Sequence, residues 1–209
     1  MSNNKLTILL YHGVTNYSNY DIENFSGKHI EIKEFEKQIR FLSQKCSLLS
    51  MDDIVDIHNN GANWPNDAVA VTFDDGFKNN ISNAAPILDK YKCPAIFYVC
   101  AGMINTNLMF WVDKIEDCIN RTRKSDIILN LNKKQTLKLK SNKQKVNAIN
   151  IIKKYCKKSR AEEKNSLIGE LICETGIYPS EDASPNYRMM SWNDVKELNS
   201  NFLFTIGGH

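Results

Sequence analysis

No two of the six cysteines in this 209-residue chain are spaced as C-x-x-C, and Cys46, Cys93, Cys100, Cys118, Cys156 and Cys173 lie scattered along it. Zinc knuckles and disulfide scaffolds are thereby excluded, and the reading is of free buried thiols in a reducing compartment, none placed in a site. Only 9 Gly and 5 Pro are present, which excludes collagen-like and low-complexity chains. Long apolar runs are missing too: nothing approaches the roughly 20 residues of a membrane span. The run Leu6-Thr-Ile-Leu-Leu10 is too short for a secretory leader, and polar Tyr11-His12-Gly13 follows at once. The expectation is a cytoplasmic protein.

Acidic residues are scarce in one place. From Arg121 to Arg160 there are 14 Lys/Arg and one acid, Asp126, so this stretch carries +13 and the remainder −10 within a net charge of +3. Few aromatics interleave with these lysines to stack on bases, so nucleic acid is not an expected partner. Two readings stay open: a peripheral contact with an anionic surface such as the inner membrane face, or a solvated insert rich in Lys and Asn.

Three continuous apolar runs read as parallel strands covered on both faces: Leu6 to Tyr11, Ala68 to Phe73, and Ala95 to Cys100. Phe202 to Ile206 reads as a fourth. Helical spacing of apolar residues marks Ile32 to Gln44, Met51 to His58 and Ser82 to Tyr91. Strands alternating with helices define an α/β chain with a parallel sheet or barrel. The stretch from about Asn105 to Arg188 differs, with helices expected over Phe110–Asn120, Lys143–Lys157 and Ala161–Glu174 and a small hairpin over Ile127–Lys140. Ser191-Trp-Asn-Asp194 has the form of a capping box opening one more helix.

The chemistry is concentrated in Val69-Ala-Val-Thr-Phe-Asp-Asp-Gly76. A buried strand delivers Asp74 and Asp75 to its C-terminal end, where α/β proteins build their sites. Adjacent carboxylates repel, so a site using both ionised forms favours a cation nearby. An Asp-Gly turn with an incidental acidic neighbour is the bland alternative, disfavoured by the apolar strand directly before it.

Thr72-Phe-Asp-Asp-Gly76 resembles the first motif of the polysaccharide deacetylases, the NodB-homology or carbohydrate esterase family 4 domain. Leu9-Leu-Tyr-His-Gly-Val14 is similar to the family's opening strand, and Asn83 to Leu88 with Cys93 to Val99 to its next helix and strand. Met189 to Leu198 resembles the helix leading into the second motif, whose start Ile206-Gly-Gly-His209 matches. The resemblance implies a parallel-stranded, distorted (β/α) barrel, incomplete at the C-terminus: residues 1–104 and 189–209 form the partial barrel, and 105–188 a basic, mainly helical insertion.

It further implies a metal-dependent hydrolase that removes N-acetyl groups from an amino-sugar glycan or glycan precursor. Asp74 would be the general base, with Asp75 and His209 ligands of a divalent metal, expectedly zinc. The second metal histidine and the histidine acid would lie beyond position 209. His12, on the same rim as Asp74, is either a substrate-side or supporting residue or a loop histidine bonded to backbone; His29 and His58 read as structural or surface residues. Two other classes compete: a non-catalytic, truncated remnant of such an enzyme, and an Asp-pair phosphoacceptor or phosphatase.

Overall fold

The computed structural model describes residues 5–16, 21–179 and 184–209. The chain begins with β1 (Leu6–Tyr11), β2 (Gly13–Thr15), β3 (His29–Glu31), α1 (Ile32–Lys45) and β4 (Ser47–Leu48). It continues through α2 (Met51–Asn59), β5 (Ala68–Phe73), α3 (Ala85–Lys90) and β6 (Ala95–Val99). Then come α4 (Trp111–Arg121), β7 (Asp126–Leu131), β8 (Lys133–Lys138), α5 (Asn142–Cys156) and α6 (Ala161–Thr175), and finally α7 (Trp192–Asn199) and β9 (Phe204–Gly208). Two compact units result: residues 5–16, 27–107 and 188–209 form one, and residues 21–26, 108–179 and 184–187 the other. No helix among the described residues is long and apolar enough to cross a membrane.

The first unit is built on a five-stranded, wholly parallel sheet in the order β1-β5-β6-β9, with β4 also paired to β5. Every residue of β5 is buried, as its unbroken Ala-Val-Ala-Val-Thr-Phe sequence requires. Its partner β1 runs in register along the full strand, Leu6 opposite Ala68 to Tyr11 opposite Phe73. The other edge of β5 is shared: β4 meets Ala68 and Val69, and β6 meets Val71 to Phe73. Phe35, Ile39 and Leu42 of α1, Ile87 and Leu88 of α3, and Val195 and Leu198 of α7 pack with Val69, Val71, Phe73, Phe97 and Phe204 into one core.

An aromatic row crosses the sheet below its C-terminal rim. Tyr11 stacks on Phe73 at 5.4 Å, Phe73 on Phe97 at 5.0 Å, and Phe97 meets Phe204 edge-on at 5.5 Å. Such pairs add about 0.5–1.5 kcal/mol each beyond buried area. They link the four neighbouring strands β1, β5, β6 and β9 through their side chains.

Three departures from the sequence reading have physical causes. β1 is not covered on both faces: Ile8 and Leu10 are 50% and 57% exposed, because β1 is the last strand of the sheet path and only the Leu9–Tyr11 face packs on the helical core. The final strand starts at Phe204, since Phe204 N–H closes a turn on Asn201 O and the Asn201 side chain accepts from Leu203 N–H. The segment before α3 opens as a π-helical turn, Asn80–Ala84, with Ala85 N–H reaching Asn80 O; Pro86 lacks the donor needed to continue an α-helical ladder through this point.

In the second unit the antiparallel pair β7 and β8 packs its Ile127, Leu129, Leu131 and Leu137 face with α4, α5 and α6. α6 ends at Gly176, whose φ of 69° suits glycine. α4 buries three acids, Asp113, Glu116 and Asp117, beside Ile115, Cys118 and Ile119. Glu116 is satisfied by Asn24 N–H at 2.7 Å and by the Tyr187 hydroxyl at 2.9 Å, which is why a charged face can turn inward.

Candidate metal centre

The rim of the parallel sheet is tied together by backbone hydrogen bonds that continue beyond the strands. Asp74 N–H donates to Tyr11 O at 2.9 Å, extending the β1–β5 ladder by one residue. Asp75 and Gly76 then both take positive φ, 76° and 86°, and the chain turns sharply away. Glycine is suited to the second position; a Cβ there would lie 3.3 Å from Val99 Cγ1 and 3.2 Å from Ile104 Cδ1. The turn is fixed from outside as well. Met190 N–H donates to Gly76 O at 3.0 Å, Lys78 N–H to Arg188 O at 2.8 Å, and Lys78 Nζ reaches Asp194 Oδ1 at 2.6 Å.

Two further ties bring in the neighbouring strand ends. Cys100 N–H donates to Asp75 O at 3.4 Å, and His209 N–H donates to Val99 O at 3.0 Å. Asp75, Cys100 and His209 thus follow three adjacent parallel strands. His209 Nε2 stands 3.5 Å from Asp75 Oδ1. One donor atom from each of Asp75, Cys100 and His209 lies within 4.8 Å of the other two. The Asp75 carboxylate is mostly buried and His209 more open, 16% against 44% exposed, so the cluster has a solvent side. Burial, followed by the Asp75 and Asp74 charges, pushes the Cys100 thiol up.

Of the residues singled out from sequence, Asp75 and His209 are brought together, and Asp74 is adjacent on the same turn. His12 is half-buried just beyond β1 and is not a member of the donor cluster; its charge acts on His29. His29 is a core residue, 3% exposed, against the Phe77 ring and 3.0 Å from Asn79 Nδ2. His58 is exposed at the end of α2. Sequence reasoning placed no cysteine in a site, and Cys100 is the residue it missed. The available signal was its position: it follows the β6 run directly, as Asp74 follows β5.

The donor chemistry suits a divalent cation. Carboxylate and imidazole are both zinc ligands, and two such donors on a tetrahedral zinc stand about 3.3–3.5 Å apart, close to the Asp75–His209 separation.

Comparison with known proteins agrees with the motif. The polysaccharide deacetylase family profile matches residues 61–155. A poly-beta-1,6-N-acetyl-D-glucosamine N-deacetylase of Staphylococcus aureus (strain MSSA476) is 30% identical over 99 residues, 47% of this chain and 33% of that protein. Among solved structures, IcaB from Ammonifex degensii superposes with a TM-score of 0.53 at 19% identity, over 98% of this chain and 52% of the other. A de-N-acetylase from Aggregatibacter actinomycetemcomitans gives 0.49 at 16% identity, covering 98% and 54%. The matched stretch spans a third of the curated relative, and the chain about half of these solved structures. The fold is that of the NodB-type deacetylases.

Proposed function

We propose that this chain supplies part of a metal-dependent deacetylase acting on an N-acetylated amino-sugar glycan or its precursor. The observation that carries the reading is the 3.5 Å meeting of His209 and Asp75 at the C-terminal rim, with Asp74 beside them. Asp75 and His209 would hold the divalent ion, and zinc fits their donor types. When bound, such an ion polarises an acyl oxygen and acidifies water. Asp74 is left to accept the proton of the attacking water as its oxygen joins the acetamide carbon. The carbon–nitrogen bond then breaks as the departing nitrogen takes a proton from the histidine acid that the resemblance puts beyond position 209, freeing acetate and leaving an amine on the sugar. The S. aureus relative, named for a β-1,6-linked N-acetylglucosamine polymer, supports that substrate class.

The test is release of free amine from a β-1,6-linked N-acetylglucosamine oligomer in the presence of zinc or cobalt. Release that depends on metal and is lost in Asp74→Asn supports the reading. Release by Asp74→Asn at the unaltered rate, or release that is indifferent to adding or chelating metal, overturns it.

A peripheral contact of the basic second unit with an anionic membrane surface belongs to the same reading. Lys133, Lys134, Lys138, Lys140, Lys143, Lys154, Lys157 and Lys158 are exposed and available to it. Lys153 is not: it is 20% exposed, 3.8 Å from Glu116 Oε2 and over the Phe25 ring.

A further inference from the structure

We propose that Tyr98 is a positioning residue for the metal centre: its ring, seated on Gly207, fixes where β9 delivers His209 opposite Asp75. The last two residues of β6 thereby act as a spacer between the two ligand-bearing segments. This rests on the metal-binding reading above and deepens it by naming what sets the gap between Asp75 and His209.

Three observations converge. A Cβ at Gly207 would stand 2.6 Å from Tyr98 Cδ1 and 2.7 Å from Cε1, so the ring lies directly against the β9 backbone. Tyr98 and Gly207 are register partners in the β6–β9 ladder, and the next residue, Val99, accepts from His209 N–H at 3.0 Å. Side chains alternate along a strand, so Gly207 and His209 share one face of β9, opposite the face that Phe204 turns to the core. Tyr98 lies on that same side of the sheet, alternating with the core residues Phe97 and Val99. Val99 presses on the other ligand-bearing segment: its Cβ and Cγ1 lie 3.3 Å from where a Cβ of Gly76 would stand, next to Asp75. One strand end therefore bears on a glycine close to each ligand.

The consequence is geometric. His209 Nε2 already stands 3.5 Å from Asp75 Oδ1, the spacing that two donors on one ion require. The His209 side chain is 44% exposed, so its place is inherited from the backbone more than from packing around the ring. A displacement at Gly207 passes to His209 two residues on, and loss of a residue that supports a metal ligand costs about 10–100-fold in affinity. The contact is made by ring carbons, so the Tyr98 hydroxyl has no part in it.

Zinc titration of the 209-residue chain, followed by the NMR signals of His209, tests this, with the melting temperature of each metal-free variant measured in parallel. Gly207→Ala should weaken zinc binding about tenfold, because the added methyl and the Tyr98 ring compete for one space. Removing the ring as well, in the double variant Gly207→Ala with Tyr98→Ala, should recover most of that loss. Tyr98→Phe should bind zinc as the unaltered chain does. Tyr98→Leu should bind it more weakly, which supplies the test should Gly207→Ala not fold. Unchanged zinc affinity in folded Gly207→Ala or Tyr98→Leu, even at a lowered melting temperature, overturns the positioning role and leaves the metal reading standing. So does a double variant no better than Gly207→Ala, or a loss in Tyr98→Phe equal to that in Tyr98→Leu. Zinc binding that is absent at millimolar zinc, or indifferent to Asp75→Ala and His209→Ala, overturns the metal reading and this inference with it.

Discussion

His209 Nε2 and Asp75 Oδ1 meet at 3.5 Å although one ends the chain and the other lies in its first half. Their approach depends on β6 lying between β5 and β9, with each strand end bonded to the next. Asp75→Ala and His209→Ala should each abolish the rise in melting temperature produced by zinc. Asp74→Asn should keep that rise, because it preserves shape and leaves Asp75 and His209 untouched. Differential scanning fluorimetry with and without zinc makes the comparison; loss of the rise in Asp74→Asn would show that Asp74 also holds the ion.

Gly13 faces the His29 ring so closely that a Cβ would stand 2.1 Å from Nδ1 and 2.6 Å from Asn79 Oδ1. Neither neighbour has room to yield, since both are buried. Gly13→Ala should therefore lose about 1–3 kcal/mol of stability or more, measured by urea unfolding. An unchanged midpoint would contradict the packing described here.

Burial, then the Lys28 and His12 charges, lowers the His29 pKa to about 3. The unfolded chain, titrating near 6.5, takes up the proton first as pH falls. The stability associated with neutral His29 is thus complete above about pH 6.5 and is lost progressively toward pH 3, by at most about 1.4 kcal/mol per unit. Urea midpoints between pH 7 and pH 5 should fall, and the fall should flatten in His29→Asn. The same slope in both proteins would exclude His29 as its source.

Lys154, Lys157 and Lys158 are exposed on or just beyond α5, within the +13 segment. Replacing all three by Gln should weaken co-sedimentation with vesicles containing phosphatidylglycerol at low salt, and added salt should reproduce the effect. Lys153→Gln should instead lower stability, because its ammonium lies near buried Glu116. Absence of vesicle binding at low salt would leave the basic face as a solvated surface.

β5 and the Asp-Asp-Gly turn after it were legible because both follow local rules. An all-apolar six-residue run has to be covered on both faces, and Asp-Asp-Gly after it has to turn. Asp75 and His209 could be paired only through family resemblance, since no local pattern brings residues so far apart together. Cys100 escaped because cysteine is usually a packing residue, and only the β5–β6–β9 order brings its thiol to the carboxylate. The openness of β1 was hidden for a related reason: Ile8 and Leu10 carry the composition of a central strand, and position in the sheet, not composition, exposes them.

Asp75 holds a φ of 76°, a conformation that costs a residue with a Cβ about 1–2 kcal/mol and costs glycine little. Selection for folding alone would therefore favour Asp75→Gly, which relaxes the backbone while deleting the carboxylate. On the proposed metal-binding reading, the backbone strain at Asp75 is offset by the ion that its carboxylate would hold.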